Sequence, residues 1–317
     1  MNDMIAFGPV PSRRLGRSIG INNIPAKICT YSCIYCQVGK ALKTVVKRGS
    51  FYKPEKIYED IASRVRLTHE SGELIDYLTF VPDGEPTLDI HLGDEIGLLK
   101  ELGYKIAIIT NASLLWIEDV RNAILSANWI SLKIDTVSED TWQMVNRPHA
   151  SLKMDQVMDG IVGFSRIFEG ALNTETMLIR GVNDSTEEIQ AVAEFIGGLG
   201  TDNNYLAIPT RPPTESWVKP TNEKTMNQAF QIYSDHNLHP EYLIGYEGNA
   251  FASTGDTEAD LLSITAVHPM REDAVRVLLE TNKDNWKMID RMIHRGKLIK
   301  YQYEGNNFYM RTFPGIH

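Results

Sequence analysis

Apolar positions along this 317-residue chain fall into two alternating patterns. Short apolar runs at residues 18–22, 77–81, 105–110, 129–134, 174–179 and 205–208 predict strands. Between them, residues 54–67, 92–102, 117–127, 154–168, 186–199 and 223–233 carry apolar side chains at helical spacing. Pro54 suits a first helical position, and Gly103 suits the position just past a helix end. Six strands alternating with helices predict an α/β fold with a parallel sheet and right-handed crossovers. The pattern alone leaves open whether that sheet is a doubly wound plane or a curved partial barrel.

The pattern changes after about residue 255. Residues 272–279 and 285–295 read as helices, and Gly296 stops the second. Residues 298–303 and 307–313 then alternate as strands around Glu304-Gly305-Asn306, a hairpin signal. The expected organisation is a barrel domain over 1–250 and a small winged-helix-like domain over 256–317. Nine basic and nine acidic residues balance in the second unit. A nucleic-acid binder normally shows a basic face, so contact with protein or clamping of a substrate is an equal reading. The chain lacks a run of about 18 apolar residues, and its start lacks a charged and then apolar leader. A cytoplasmic protein is the expectation.

All three cysteines of the chain stand in Cys29-Thr-Tyr-Ser-Cys33-Ile-Tyr-Cys36. An odd number in one cluster argues against a disulfide framework. Three thiolates can hold three irons of a [4Fe–4S] cluster and leave the fourth iron open to a small molecule. Two plainer readings compete: a zinc site completed by a His, and ordinary buried thiols. No His lies in the adjacent loop, and the spacing differs from paired Cys-x-x-Cys knuckles.

Further motifs follow the predicted strands in order. Asp83-Gly84-Glu85-Pro86-Thr87 succeeds the second strand, Thr110-Asn111 ends the third, and Ser131-Leu132-Lys133-Ile134-Asp135 lies on and after the fourth. Glycine permits close backbone approach, and proline fixes a turn. Taken singly, each is as readily a loop or strand-end polar residue. As a series with C-x3-C-x-Φ-C they resemble the radical SAM superfamily, whose loop in place of Asp83-Gly84-Glu85 is Gly-Gly-Glu. The resemblance implies a (β/α)6 partial, TIM-like barrel. It also implies a [4Fe–4S] cluster on Cys29, Cys33 and Cys36, and S-adenosylmethionine (SAM) on the open iron. It places Tyr35 beside the adenine and assigns Gly84, Glu85, Pro86, Thr110, Asn111, Ser131, Lys133 and Asp135 to SAM. Residues 20–215 further resemble 4-demethylwyosine synthase, a tRNA-modifying member. The cysteines of that enzyme's second cluster are absent here, which puts wyosine chemistry itself in doubt. The segments Gly8-Pro-Val-Pro-Ser-Arg-Arg-Leu-Gly-Arg-Ser18 and Ala266-Val-His-Pro-Met-Arg-Glu272 resemble a largely uncharacterised prokaryotic subgroup.

Glu175 on the fifth strand, Arg180 beyond it, and Arg211 beyond the sixth would face the barrel mouth as catalytic or substrate-binding residues. Their plain alternative is a structural ion pair. His268 and the Tyr246-Glu247 pair are acid–base candidates, with hinge packing as the stronger reading. Net charge is −9, but residues 1–50 sum to +7 and the remainder to −16. The basic segment flanks the cysteines and would attract an anionic substrate, such as a nucleotide or tRNA. It would equally attract an acidic electron donor such as flavodoxin or ferredoxin. The competing function class is a non-catalytic iron–sulfur or zinc redox sensor with a DNA-binding winged helix. A sensor has no use for the strand-end SAM series.

Overall fold

The computed structural model describes residues 5–39, 43–244, 255–267 and 269–312. Tyr246, Glu247 and His268 lie outside them. The chain opens with an antiparallel hairpin, β1 (Ala6–Ser12) and β2 (Gly16–Ile21). A two-stranded parallel pair, β3 (Ile28–Cys29) and β4 (Lys43–Thr44), then brackets the cysteine loop. The main sheet continues through β5 (Tyr77–Phe80), β6 (Lys105–Thr110), β7 (Trp129–Lys133), β8 (Ala171–Met177), β9 (Asn203–Ala207) and β10 (Pro240–Leu243). Its spatial order is β1-β2-β5-β6-β7-β8-β9-β10, and every pairing after the first is parallel. The result is a curled half-barrel. The six expected strands are present, flanked by two that lacked a readable pattern, β1 and β10.

Crossovers run through α1 (Pro54–Glu70), α2 (Leu92–Lys100), α3 (Glu118–Ile124), α4 (Glu139–Val145), α5 (Met154–Ser165), α6 (Thr186–Gly197) and α7 (Glu223–Asp235). Local chemistry sets their starts. Pro54 opens α1; the Ser185 hydroxyl accepts the Glu188 amide at 3.2 Å ahead of α6; Asn222 accepts the Thr225 amide at 3.0 Å ahead of α7.

Strand alternation separates two environments. Ile19, Ile21, Leu78, Phe80, Ile106, Ile108, Ile130 and Leu132 point to the helices and form the principal core. The opposite, concave face carries Ser18, Thr79, Trp129, Ser131, Lys133, Glu175 and Tyr205. The tip of the β1–β2 hairpin reaches this face. Leu15 is buried there with Ala107, Trp129 and Tyr205.

The C-terminal unit follows α8 (Thr257–Val267), β11 (Met270–Arg271), α9 (Glu272–Thr281), α10 (Lys287–His294), β12 (Leu298–Tyr303) and β13 (Asn306–Arg311). Its antiparallel sheet has the order β11-β13-β12. Glu304 and Gly305 both take positive φ, 44° and 76°. That is the two-residue turn whose twist matches a hairpin. Leu261, Val275, Leu278, Ile289, Met292 and Tyr309 form a separate core. Several contacts, among them an ion pair between Lys219 and Glu304, join the barrel to the unit. Val10 of β1 packs against its core, and the Tyr303 hydroxyl donates to the Pro209 carbonyl at 3.0 Å.

Helix α5 gives a direct test of this packing. A Cβ at Gly160 would lie 2.2 Å from the Trp116 amide nitrogen, whereas one at Gly163 meets nothing within 4 Å. Gly160→Ala should destabilise the protein by roughly 1–3 kcal/mol through overpacking against backbone. Gly163→Ala should stabilise it by about 0.5–1 kcal/mol through helix propensity. Denaturant melts of the two variants measure both, and equal effects would contradict the close approach of α5 to the 114–116 loop.

Candidate active site

Cys29 ends β3, and Cys33 and Cys36 follow in a loop held from three sides. Helix α4 holds one: the Ile34 amide donates to the Val145 carbonyl at 2.9 Å, and the Ser32 amide to the Asn146 carbonyl at 3.0 Å. The Trp142 indole of α4 donates to the Tyr31 hydroxyl at 3.2 Å, with the rings edge to face at 5.8 Å. The segment after β9 holds the second side. There the Thr214 hydroxyl donates to the Cys36 carbonyl at 2.9 Å, and the Glu215 amide to the Ile34 carbonyl at 3.1 Å. Arg147 and Glu215 form an ion pair across these two supports.

The third side is the 83–87 loop. Ile28 bridges Gly84, and the Glu85 amide donates to the Ile28 carbonyl at 3.1 Å. A Cβ at Gly84 would lie 2.0 Å from that carbonyl, so only glycine fits. Asp83 forms a buried ion pair with Lys27 at 2.8 Å. Glu85 is buried, and its oxygens are occupied by the chain itself. Oε1 accepts the Thr87 amide at 3.2 Å, the Thr87 hydroxyl at 2.7 Å and the Thr110 hydroxyl at 2.5 Å; Oε2 accepts the Asn111 amide at 2.8 Å. Burial pushes the Glu85 carboxyl up, and these four donors pull it back. Its place is inside the loop, which it shapes. The loop backbone at Gly84–Pro86 is what faces the cysteines.

Tyr35 donates its hydroxyl to Asp135, whose Oδ2 also accepts Asn146 Nδ2 at 2.8 Å and whose Oδ1 accepts the Met177 amide at 3.0 Å. Asp135 thus ties the cysteine loop, α4 and the end of β8 to one carboxylate. Lys133 and Glu175 are register neighbours on β7 and β8, with Nζ 2.7 Å from Oε1. Lys133 Nζ also lies 4.9 Å from the centre of the Tyr35 ring. Arg14 reaches the second Glu175 oxygen from the β1–β2 tip. Burial alone would raise the Glu175 carboxyl, but Lys133 and then Arg14 bring it down to about 2. A carboxylate so held keeps its charge at neutral pH and does not exchange protons there. Ser131, two residues before Lys133 on the concave face, is fully buried, and its hydroxyl has no partner among the described residues.

Above Glu175 opens a cleft of about 90 Å³. Its lining includes Arg13, Arg14, Gln37, Glu175, Thr210 and Arg211, with Arg211 donating to Gln37 at 3.3 Å. Arg211 is therefore at the mouth, as its strand-end position predicts. Arg180 is not. Strand β8 ends at Met177, and Glu175, Met177 and Ile179 share the inner parity with Ala207 and Tyr35. Arg180 has the opposite parity, is exposed, and gives its amide to the Lys219 carbonyl at 3.0 Å. Arg14, Gln37 and Asn146 were not singled out by sequence reasoning. Arg14 sits within the Gly8–Ser18 segment, but nothing local marks that its side chain turns inward.

The cysteines suit an iron–sulfur cluster. Burial and then neighbouring carboxylates push all three thiols up, Cys33 to about 12. Three thiolates packed here need a strongly cationic partner, which a cluster's irons provide. Side-chain amides already aim at the sulfurs: Asn111 Nδ2 donates to Cys29 Sγ at 3.5 Å, and Asn146 Nδ2 to Cys33 Sγ at 3.4 Å.

The Glu175 pairing carries a pH signature. Its folded value of about 2 lies below the ordinary 4.5, so its stabilisation is fully present above pH 4.5 and is lost as pH falls towards 2. Glu175→Gln strands two buried cations and should cost about 3–5 kcal/mol at neutral pH. It should also remove this acid-dependent component. Denaturant melts at about pH 7 and about pH 3 distinguish the proteins, and equal acid sensitivity would refute the pairing.

Comparisons with known proteins agree with this geometry. The Radical SAM superfamily profile matches residues 23–196. A UPF0026 protein of Methanocaldococcus jannaschii is 44% identical over 310 residues, covering 97% of this chain and 96% of its own. A radical SAM methyltransferase from Sphaerobacter thermophilus superposes with a TM-score of 0.57 at 12% identity, over 72% of this chain and 66% of that one. Streptococcus suis SuiB bound to S-adenosylmethionine gives 0.52 at 17% identity, over 78% and 56%. Archaeal TYW1 gives 0.48 at 16% identity, over 69% and 72%. Likeness at such low identity concerns the fold alone. With the profile spanning more than half its length, the chain belongs to the radical SAM superfamily, whose members are enzymes that use a [4Fe–4S] cluster and SAM.

Proposed function

We propose that this protein is a cytoplasmic radical SAM enzyme, of oxidoreductase or lyase type, acting on an anionic substrate received at the arginine-lined mouth. The observation that carries this reading is the juxtaposition of two features. Three clustered cysteines lie against the Gly84–Pro86 backbone, and a cavity bearing Arg13, Arg14 and Arg211 opens beside them.

In this reading Cys29, Cys33 and Cys36 hold the cluster, and Gly84, Pro86, Tyr35, Asn111, Ser131 and Lys133 surround SAM. Glu85, Thr110 and Asp135 hold those groups in place. When bound, the reduced cluster and SAM supply a 5′-deoxyadenosyl radical for hydrogen abstraction. Glu175 neutralises part of the cationic mouth and fixes Arg14 and Lys133. Arginine suits bidentate capture of phosphate or carboxylate, and nucleotides and tRNA are the first class to test. The basic segment around the cysteines fits an acidic electron donor such as flavodoxin or ferredoxin. Residues 1–250 form the barrel domain. Residues 256–317, with the element order helix, strand, helix, helix, hairpin, form a winged-helix-like domain that clamps the 209–219 segment from outside. A redox sensor would leave the mouth unexplained.

Anaerobic reconstitution should give about four irons per chain. Cys29→Ala, Cys33→Ala or Cys36→Ala should abolish uptake. With dithionite and SAM, the wild type should release 5′-deoxyadenosine, and Lys133→Ala should weaken SAM binding. Stoichiometric zinc in place of iron would defeat the assignment.

The substrate class is tested by adding tRNA, peptide and small-molecule fractions of a cell extract to the reduced enzyme. An anionic fraction should accelerate 5′-deoxyadenosine release, and Arg211→Ala should suppress that response about tenfold or more, the loss of one charged hydrogen bond. Stimulation by a neutral fraction, unchanged in Arg211→Ala, would overturn the anionic reading while leaving the radical chemistry intact.

A further inference from the structure

Lys27 and Asp83 form a charge pair whose side chains are 3% and 5% exposed. Its burial needs a reason. Taking two charges out of water is costly, and an apolar pair of similar volume is often as stable. Attachment of the two loops does not supply that reason, because the backbone already provides it. The Lys27 amide donates to the Asp83 carbonyl at 2.7 Å, and the Glu85 amide to the Ile28 carbonyl. Lys27 moreover takes φ of 67°, a left-handed conformation that favours glycine. A lysine nevertheless stands there, and its ammonium passes beside Gly39, where a Cβ would lie 3.4 Å from Nζ.

Its position in the fold supplies the reason. Lys27 stands two residues before Cys29, and Asp83 occupies the place where the superfamily loop has its first glycine. The Lys27 ammonium lies beside Gly39, just past Cys36, while its own backbone leads into Cys29; Asp83 adjoins Gly84, which bridges Ile28 next to Cys29. In a low-dielectric pocket such charges act strongly on one another and on a neighbouring redox group.

We propose that Lys27 and Asp83 are positioning residues for the cluster's electrostatics. They act with opposite signs beside the cysteine loop, and their pairing keeps the buried site charge-balanced. The inference rests on the cluster assignment above but has its own readout.

The test is a redox titration of the anaerobically reconstituted protein, followed by electron paramagnetic resonance without SAM. Wild type is compared with Lys27→Met, Asp83→Asn and the double variant. Lys27→Met removes a positive charge and should shift the midpoint downward. Asp83→Asn removes a negative charge and should shift it upward. The double variant should return close to the wild-type midpoint and load iron as fully. Shifts of the same sign, no shift in either single variant, or a double variant as impaired as the worse single would overturn the proposal.

If neither single variant loads iron, the double variant decides. Restored loading supports charge balance, and continued failure refutes it. A wild-type protein that takes up no iron refutes the cluster assignment instead, so the two failures are distinct.

Discussion

The site depends on one close approach: the Ile28 carbonyl lies where a Cβ of residue 84 would be. Two loops leaving adjacent parallel strands, β2 and β5, can then share a bridge and align their backbones. Glycine permits the approach, Glu85 shapes the second loop from inside, and Pro86 sets its turn. The sulfurs and the backbone groups opposite them are thereby placed by main-chain contacts, which vary less than flexible side chains.

Around that contact, the buried acids Glu175, Asp83 and Asp135 are each paired or hydrogen-bonded. Glu175 has Lys133 and Arg14, Asp83 has Lys27, and Asp135 is satisfied by neutral donors from Tyr35, Asn146 and the Met177 amide. Such pairing suits a site that must hold anionic sulfur away from water. It also makes the interior sensitive to single substitutions, because removal of one partner leaves the other buried and uncompensated.

Much of this was legible in the sequence, for identifiable reasons. The central strands and their helices repeat a clear period, and the cysteine and Gly-Glu-Pro motifs are local. Strand β1 was illegible because Gly8, Pro9 and Pro11 interrupt its seven residues, and such residues are tolerated chiefly at sheet edges. Strand β10 has only four residues, and α4 buries only Trp142 and Val145 of its seven. Arg14 meets Glu175 across 161 positions, a contact made by the curl of the sheet and unmarked by any local pattern. Arg180 was misplaced because the strand ends three residues before it, and its parity is opposite to that of Glu175.

The segment between Pro209 and Lys219 touches three things at once. Tyr303 of the C-terminal hairpin holds Pro209, Arg211 lines the mouth, and the Thr214 hydroxyl holds the carbonyl of Cys36. A ligand that changes the conformational freedom of this segment at one contact changes it at the other two. Linkage makes the effect mutual: whatever factor a mouth ligand applies to an event at the hairpin, that event applies to the ligand's affinity in return. The hairpin is therefore joined to the site through one segment, although none of its described side chains lines the cavity.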